Sequence, residues 1–199
     1  ILQTIYNDFY ALIGAQVDRS QEGLIVELGS GIGNLKQHIS ECICTDVFPN
    51  PWIDQVENAY RMSFADESVS NLILFDVFHH LEYPKAALNE FRRVLKPHGR
   101  VILFEPCISA LGWIVYGYYA AQGNACRIFR HSRKYRDLIG DFSITKVRRY
   151  AALAYVMSGG YSGRQLYPDR LYPFIKSCER GLNHLPSLFA TRLLVVLTK

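Results

Sequence analysis

Hydrophobic residues fall along this chain in two alternating rhythms. Ile5, Phe9, Leu12 and Ile13 recur at helical spacing, which predicts an opening amphipathic helix. Leu24-Ile25-Val26-Glu27-Leu28 is then a short, mostly apolar run of the kind buried in a parallel sheet. A glycine-rich turn, Gly29 to Gly33, leads into Asn34 to Ile39, which reads as helix, and Cys42 to Asp46 reads as a second strand ending in an acid. Val56 to Tyr60 is a weak strand and Val69 to Asp76 a strong one. Pro84 stands at a helix start, and Ala87, Leu88, Phe91, Val94 and Leu95 give that helix an apolar face as far as Pro97. His98-Gly99 predicts a turn and Arg100 to Glu105 another buried strand. Beyond Pro106 the regularity lapses, and residues 107–140 predict a helical excursion above the sheet, with Ser132 capping a short helix that ends at Gly140. Ile144 to Tyr150 alternates as a strand, Pro168 to Gly181 reads as helix, and Leu193 to Leu197 is a last apolar strand. Strands alternating with helices predict an α/β fold with a mainly parallel sheet. No repeat, low-complexity tract or linker interrupts the pattern, so residues 1–199 are expected to form one domain.

Composition narrows this further. With 49% hydrophobic and 20% charged residues, the chain is no disordered tail. No apolar run approaches the roughly 18 residues that span a bilayer; the longest, Leu111 to Ala121, contains three tyrosines. No secretory leader is visible, and a first residue of Ile1 is compatible with residues removed upstream. Cys42, Cys44, Cys107, Cys126 and Cys178 form an odd set without a C-x-x-C pair, which predicts reduced packing thiols in a cytoplasmic protein and neither a disulfide framework nor a metal site. The net charge of +4 conceals a division: residues 1–124 carry −6, residues 125–170 carry +7 and residues 171–199 carry +3. A basic second half can face an anionic substrate, a membrane surface or nucleic acid, or serve simply as a solvated face.

The chemistry is concentrated at Glu27-Leu28-Gly29-Ser30-Gly31-Ile32-Gly33. A glycine turn between strand and helix lets the backbone approach a ligand closely, and Asp46, at the end of the next strand, can accept hydrogen bonds from both hydroxyls of a ribose. The dinucleotide fingerprint needs Gly or Ala at position 34, where this chain has Asn34. An acid two residues before the first glycine would repel a pyrophosphate, while a buried carboxylate there favours an ammonium or sulfonium. A nicotinamide oxidoreductase is thereby disfavoured, and the turn selects a cationic nucleoside.

In these residues the chain resembles the class I S-adenosylmethionine-dependent methyltransferases. Glu27 to Gly33 is similar to their first motif, Asp46 matches the ribose-binding acid, and Asn58 to Phe64 resembles the segment that flanks the adenine, with Asn58 where the family usually has Asp. Ala65 to Leu81 looks like the fourth strand and its loop, and Pro84 to Leu103 like the helix, turn and fifth strand that follow. The likeness covers roughly residues 24–105. It implies a Rossmann-like three-layer sandwich whose seven-stranded, mainly parallel sheet has an antiparallel last strand, with S-adenosyl-L-methionine over the carboxyl ends of the strands and S-adenosyl-L-homocysteine as product. Cofactor contacts are then expected from Glu27, Gly29, Ser30, Gly31 and Asn34 in the first motif, Asp46 and Val47 after the second strand, Asn58 and Ala59 beside the adenine, and Phe75 and Asp76 at the end of the fourth strand.

Methyl transfer from a sulfonium is an in-line displacement, so alignment supplies much of the rate, and a base is added when the acceptor is a hydroxyl. His79 and His80 follow the fourth strand and are candidate bases. Glu105, at the end of the fifth strand, can orient an acceptor or cap a turn. Tyr116, Tyr118 and Tyr119 in the excursion either cover the site or pack as an aromatic stripe. Ser158 to Arg164 can form an anion-binding nest or a plain loop, and Arg127, Arg130, Arg133, Lys134 and Arg136 form a basic cluster. These residues fit a small or medium-sized acceptor, amphipathic or phosphorylated, such as a lipid- or nucleotide-linked sugar. Two other readings stand beside it: an RNA methyltransferase, motivated by the +7 segment, and a non-catalytic binding protein that retains the fold.

Overall fold

A computed structural model describes residues 1–116, 124–160 and 163–199, without the side chains of Val115, Tyr116 and Asn124. The opening helix α1 spans Leu2–Gly14 and leads to strand β1 at Leu24–Leu28. Then come β2 (Cys42–Asp46), β3 (Gln55–Val56), β4 (Val69–Phe75), α2 (Pro84–Val94) and β5 (Leu95–Pro106). The excursion contributes α3 (Ala110–Tyr116), α4 (Asn124–Arg130) and α5 (Arg136–Ile139). The chain finishes with β6 (Ser143–Tyr150), α6 (Leu153–Met157), α7 (Tyr172–Leu182), α8 (Pro186–Phe189) and β7 (Arg192–Thr198).

The seven strands form one sheet in the order β3-β2-β1-β4-β5-β7-β6. All neighbours from β3 to β5 are parallel, and β7 inserts between β5 and β6 antiparallel to both. The order reverses between β1 and β4, and the cleft outside the carboxyl ends of strands at such a switch point is where open α/β sheets hold ligands.

Each face of the sheet carries its own core, because β1, β4, β5 and β7 bury side chains on both sides. On one face Val26, Leu72, Leu103 and Val195 pack with Leu88 and Phe91 of α2 and Phe129 of α4. On the other, Ile25, Ile73, Phe104 and Leu194 meet Ile5, Phe9 and Ile13 of α1 and Ile175 of α7. The result is three layers, helix–sheet–helix.

Several local expectations are corrected. Residues 34–39 do not make an α-helix; Asn34–Gln37 is one 3-10 turn, closed by the His38 N–H on the Leu35 carbonyl. The third strand is only Gln55–Val56, because the Asn58 Oδ1 accepts the Tyr60 N–H and turns the chain out of the ladder. The fifth strand starts at Leu95: that residue pairs with Val69, residues 96–99 bulge with His98 at φ +65°, and pairing resumes at Arg100–Asn71. Ser132 caps no helix; α5 begins at Arg136, after Tyr135.

Candidate cofactor and catalytic site

The glycine turn is clamped to the end of β2. Ser30 donates its backbone N–H to the Thr45 carbonyl at 2.8 Å, Thr45 returns its own N–H to the Ser30 Oγ at 3.0 Å, and the Thr45 hydroxyl donates to the Glu27 carbonyl at 2.8 Å. Gly29 has φ +72°, and a Cβ there would stand 2.4 Å from the Val77 Cγ2. Gly31 has φ +54°, and a Cβ on it would meet nothing within 4 Å, so its backbone borders open space. Asp46 is half-buried; its Oδ2 accepts the Gly31 N–H at 3.0 Å and its Oδ1 the Phe48 N–H at 3.1 Å. Each oxygen keeps a second lone pair for a ligand hydroxyl.

Beside this loop lies a cleft of about 480 Å³, lined by Gly29, Asp46, Val47, Asn58 and Ala59 from the expected set. Leu28, Phe48, Glu57, Tyr60, Val77, His80 and Leu81 complete the wall. Val47 and Phe48 are exposed, Phe48 at 74% of its surface, and offer an apolar wall to a flat base. Glu57 escaped the sequence reading, though an acid directly before Asn58 was its signal. It is buried and accepts the Ser63 N–H at 2.9 Å and the Gln55 side-chain amide at 2.7 Å, which braces the turn carrying Asn58.

Glu27 lies under the loop, 3% exposed, and its Oε2 has no hydrogen-bond partner among the described residues. Burial pushes its carboxyl up to about 8, opposed by the Ser30 hydroxyl. An orphaned buried acid and an open glycine backbone at one strand end fit a nucleoside with a cationic tail.

The loop after β4 separates the expected catalytic residues. Glu105 is fully buried, and its Oε1 accepts the N–H groups of Val77 at 3.0 Å and Phe78 at 2.8 Å. Its Oε2 takes the His79 N–H at 3.3 Å and meets the His79 Nδ1 at 2.6 Å. Glu105 therefore caps the 3-10 turn Phe78–His80 and has no surface on the cleft. His79 is buried with it, its ring centroid 3.9 Å from that of His80. His80 alone of the three reaches the cleft wall. Partial burial, then His79, holds its imidazolium below the ordinary histidine range.

Phe75 and Asp76 also lie outside the cleft wall. Phe75 packs edge-on against Phe9, Tyr10 and Phe104, on the α1 side of the sheet. Asp76, at φ +56°, pairs with Arg192, whose guanidinium is sunk among Phe9, Phe75, Phe104 and Tyr155 with 4.6 Å to the Tyr155 ring centre. Asp76, His79 and Glu105 place ligand atoms within 4.8 Å of one another, a donor set able to hold a cation, yet Arg192 and the backbone N–H groups already engage its carboxylates. Within the first motif, the Ser30 hydroxyl accepts the Thr45 N–H, Asp46 accepts the Gly31 N–H, and the Asn34 Oδ1 faces the Gln37 amide at 3.5 Å. Tyr118, Tyr119, Tyr161 and Ser162, with the side chain of Tyr116, lie outside the described residues.

Switch-point cleft, glycine turn and terminal acid together form a candidate nucleoside site in an α/β fold. Residues 26–103 match a family model described as a methyltransferase domain. No curated protein matches the sequence. Among solved structures, the fold is similar to a geranyl diphosphate C-methyltransferase from Streptomyces coelicolor A3(2), with a TM-score of 0.60 at 12% identity over 97% of this chain and 79% of that one. It is similar also to an S-adenosylmethionine-dependent methyltransferase from Archaeoglobus fulgidus (TM-score 0.60, 13% identity, 96% and 94% covered) and to one from Mesorhizobium loti (0.56, 11%, 95% and 96%). Residues 26–103 are thus similar to a methyltransferase domain, and the fold as a whole is that of the S-adenosylmethionine-dependent methyltransferases it resembles.

Proposed function

We propose that this protein is a class I S-adenosylmethionine-dependent methyltransferase and that it methylates a medium-sized acceptor with an apolar body and an anionic group. The observation that carries this reading is a second hollow, about 210 Å³, lined by Phe78, Leu81, Glu82, Pro84, Arg127, Ile128 and Tyr135. Leu81 lines both this hollow and the cofactor cleft, so the two adjoin. Phe78, Ile128 and Tyr135 supply apolar contact, and Arg127 is an exposed cation at the rim. Lipid- or nucleotide-linked sugars and prenyl diphosphates share this chemistry; geranyl diphosphate is bound in the similar structure from Streptomyces coelicolor.

S-adenosylmethionine supplies an electrophilic methyl on its sulfonium. Asp46 would hold the ribose, Glu27 would receive the cationic tail, and Asn58 with Ala59 and Phe48 would border the adenine. His80 lines the cleft beside Leu81, which borders both spaces, and with its imidazolium disfavoured by partial burial and by His79 the ring can take a proton from an acceptor hydroxyl. Glu105 and His79 position that ring. With labelled S-adenosylmethionine and a panel of phosphorylated and neutral amphipathic acceptors, methyl transfer is expected to the phosphorylated members. Arg127→Ala should raise their KM about tenfold or more, the loss of one charge-assisted hydrogen bond. Transfer to neutral acceptors alone would overturn the reading.

The exposed Arg127, Arg130, Arg133, Lys134 and Arg136 favour RNA as a second acceptor class. RNA binding that falls steeply with salt would support it. Among the described residues no helix is long and apolar enough to cross a membrane. The five free thiols fit the cytoplasm, with contact at a membrane surface through the basic half.

A further inference from the structure

Sequence spacing gave no reason to pair any cysteines, but the fold brings two together. Cys107 follows β5 directly and Cys126 lies on the inner face of α4. Their sulfurs are 3.0 Å apart, and the residues are 0% and 1% exposed. Arg130 and Arg149 bear on both sulfurs. The Nη1 of the partly exposed Arg149 is buried with no hydrogen-bond partner among the described residues. The hydrogen bond between the sulfurs and these guanidiniums lower the Cys126 thiol, while the same bond and burial raise Cys107. The two sulfurs thus touch in an electropositive surrounding, within about 1 Å of the length of an S–S bond, so that a disulfide can close with little movement.

We propose that Cys107 and Cys126 are a redox modification site, oxidised by a small hydroperoxide to a reversible disulfide that ties α4 to the end of β5. The Cys126 thiolate attacks one oxygen of the hydroperoxide, breaking the O–O bond and releasing water or an alcohol, and becomes a sulfenic acid. Cys107 then attacks the sulfenic sulfur; the S–S bond forms and the sulfenic oxygen leaves as water. Two thiols give up two electrons and two protons to one hydroperoxide, and an external dithiol reverses the change. Burial of the pair favours an oxidant as small as hydrogen peroxide.

Arg127 and Ile128, the next two residues of α4, line the second hollow. The tie therefore fixes that wall, and this consequence alone rests on the acceptor reading. The cofactor cleft uses neither cysteine.

The test is graded hydrogen peroxide on the reduced protein, followed by proteolysis and mass mapping without reductant. The expected product is one Cys107–Cys126 cross-linked peptide, with loss of two of the five thiols and recovery by dithiothreitol. Cys107→Ser should leave a sulfenic acid on Cys126 that dimedone traps, with S-adenosylmethionine affinity unchanged. Hydrogen exchange across residues 124–130 should slow in the oxidised protein. Oxidation of the partly exposed Cys178 with no cross-link would overturn the proposal, as would a link from Cys126 to any other cysteine. A cross-link that leaves exchange at 124–130 unchanged would overturn the tie.

Discussion

Asp46 serves two structures with one carboxylate. It fastens the Gly31 and Phe48 N–H groups, and it presents its remaining lone pairs to the cleft. Asp46→Ala should therefore weaken S-adenosylmethionine binding by roughly 10- to 100-fold, the worth of one or two hydrogen bonds to a charged group. Calorimetric titration reads this directly, and unchanged affinity would remove Asp46 from the site. Glu27 makes a second, pH-dependent prediction. Its carboxyl lies at about 8 in the folded chain against an ordinary 4.5, so folding retains a proton between those values. Its share of stability is full below pH 4.5, declines as pH rises towards 8, and is level above. A cationic ligand group beside it reverses the preference, so binding at pH 7 should release a proton. Titrations in buffers of different protonation enthalpy should show that release in the native protein and not in Glu27→Gln; equal release in both would separate Glu27 from the ligand.

At the scale of elements, the first motif was legible because chemistry and position coincide there: strand, glycines, then acid at the next strand end. The loop after β4 was not. Two histidines and an acid looked equivalent as residues, and only register distinguishes them, since β5 runs beside β4 and brings Glu105 under the backbone of residues 77–79. Glu105→Ala should strand three backbone donors and the His79 ring, costing about 3 kcal/mol or more in urea unfolding, with Glu105→Gln retaining much of the capping. Equal losses would mean that volume, not hydrogen bonding, holds the turn. The short third strand and the single turn after Gly33 were misjudged for the opposite reason. Their apolar patterns are sound, but an Asx-type bond at Asn58 overrides the one, and the other closes as a 3-10 turn.

For the whole molecule, the alternation of runs carried the architecture through residue 105, because each buried strand announces itself locally. What lies beyond was less legible. Helices α6 and α8 are too short for periodicity, and the contact between Cys107 and Cys126 depends on how α4 docks. Arg192 was hidden too: it reads as an ordinary basic residue before a strand and proves to be a buried counter-charge in an aromatic nest.

The position of β7 also has a meaning in time. Parallel neighbours β1 to β5 are complete by residue 106, so that half of the sheet can assemble while the rest of the chain is still being made. β6 has no edge to join until residues 192–198 arrive, for β7 alone touches it within the sheet. Asp76, made early, waits for Arg192 through the synthesis of more than a hundred residues. The cofactor floor is thus laid first, and the charge that steadies its far end comes with nearly the last strand to form.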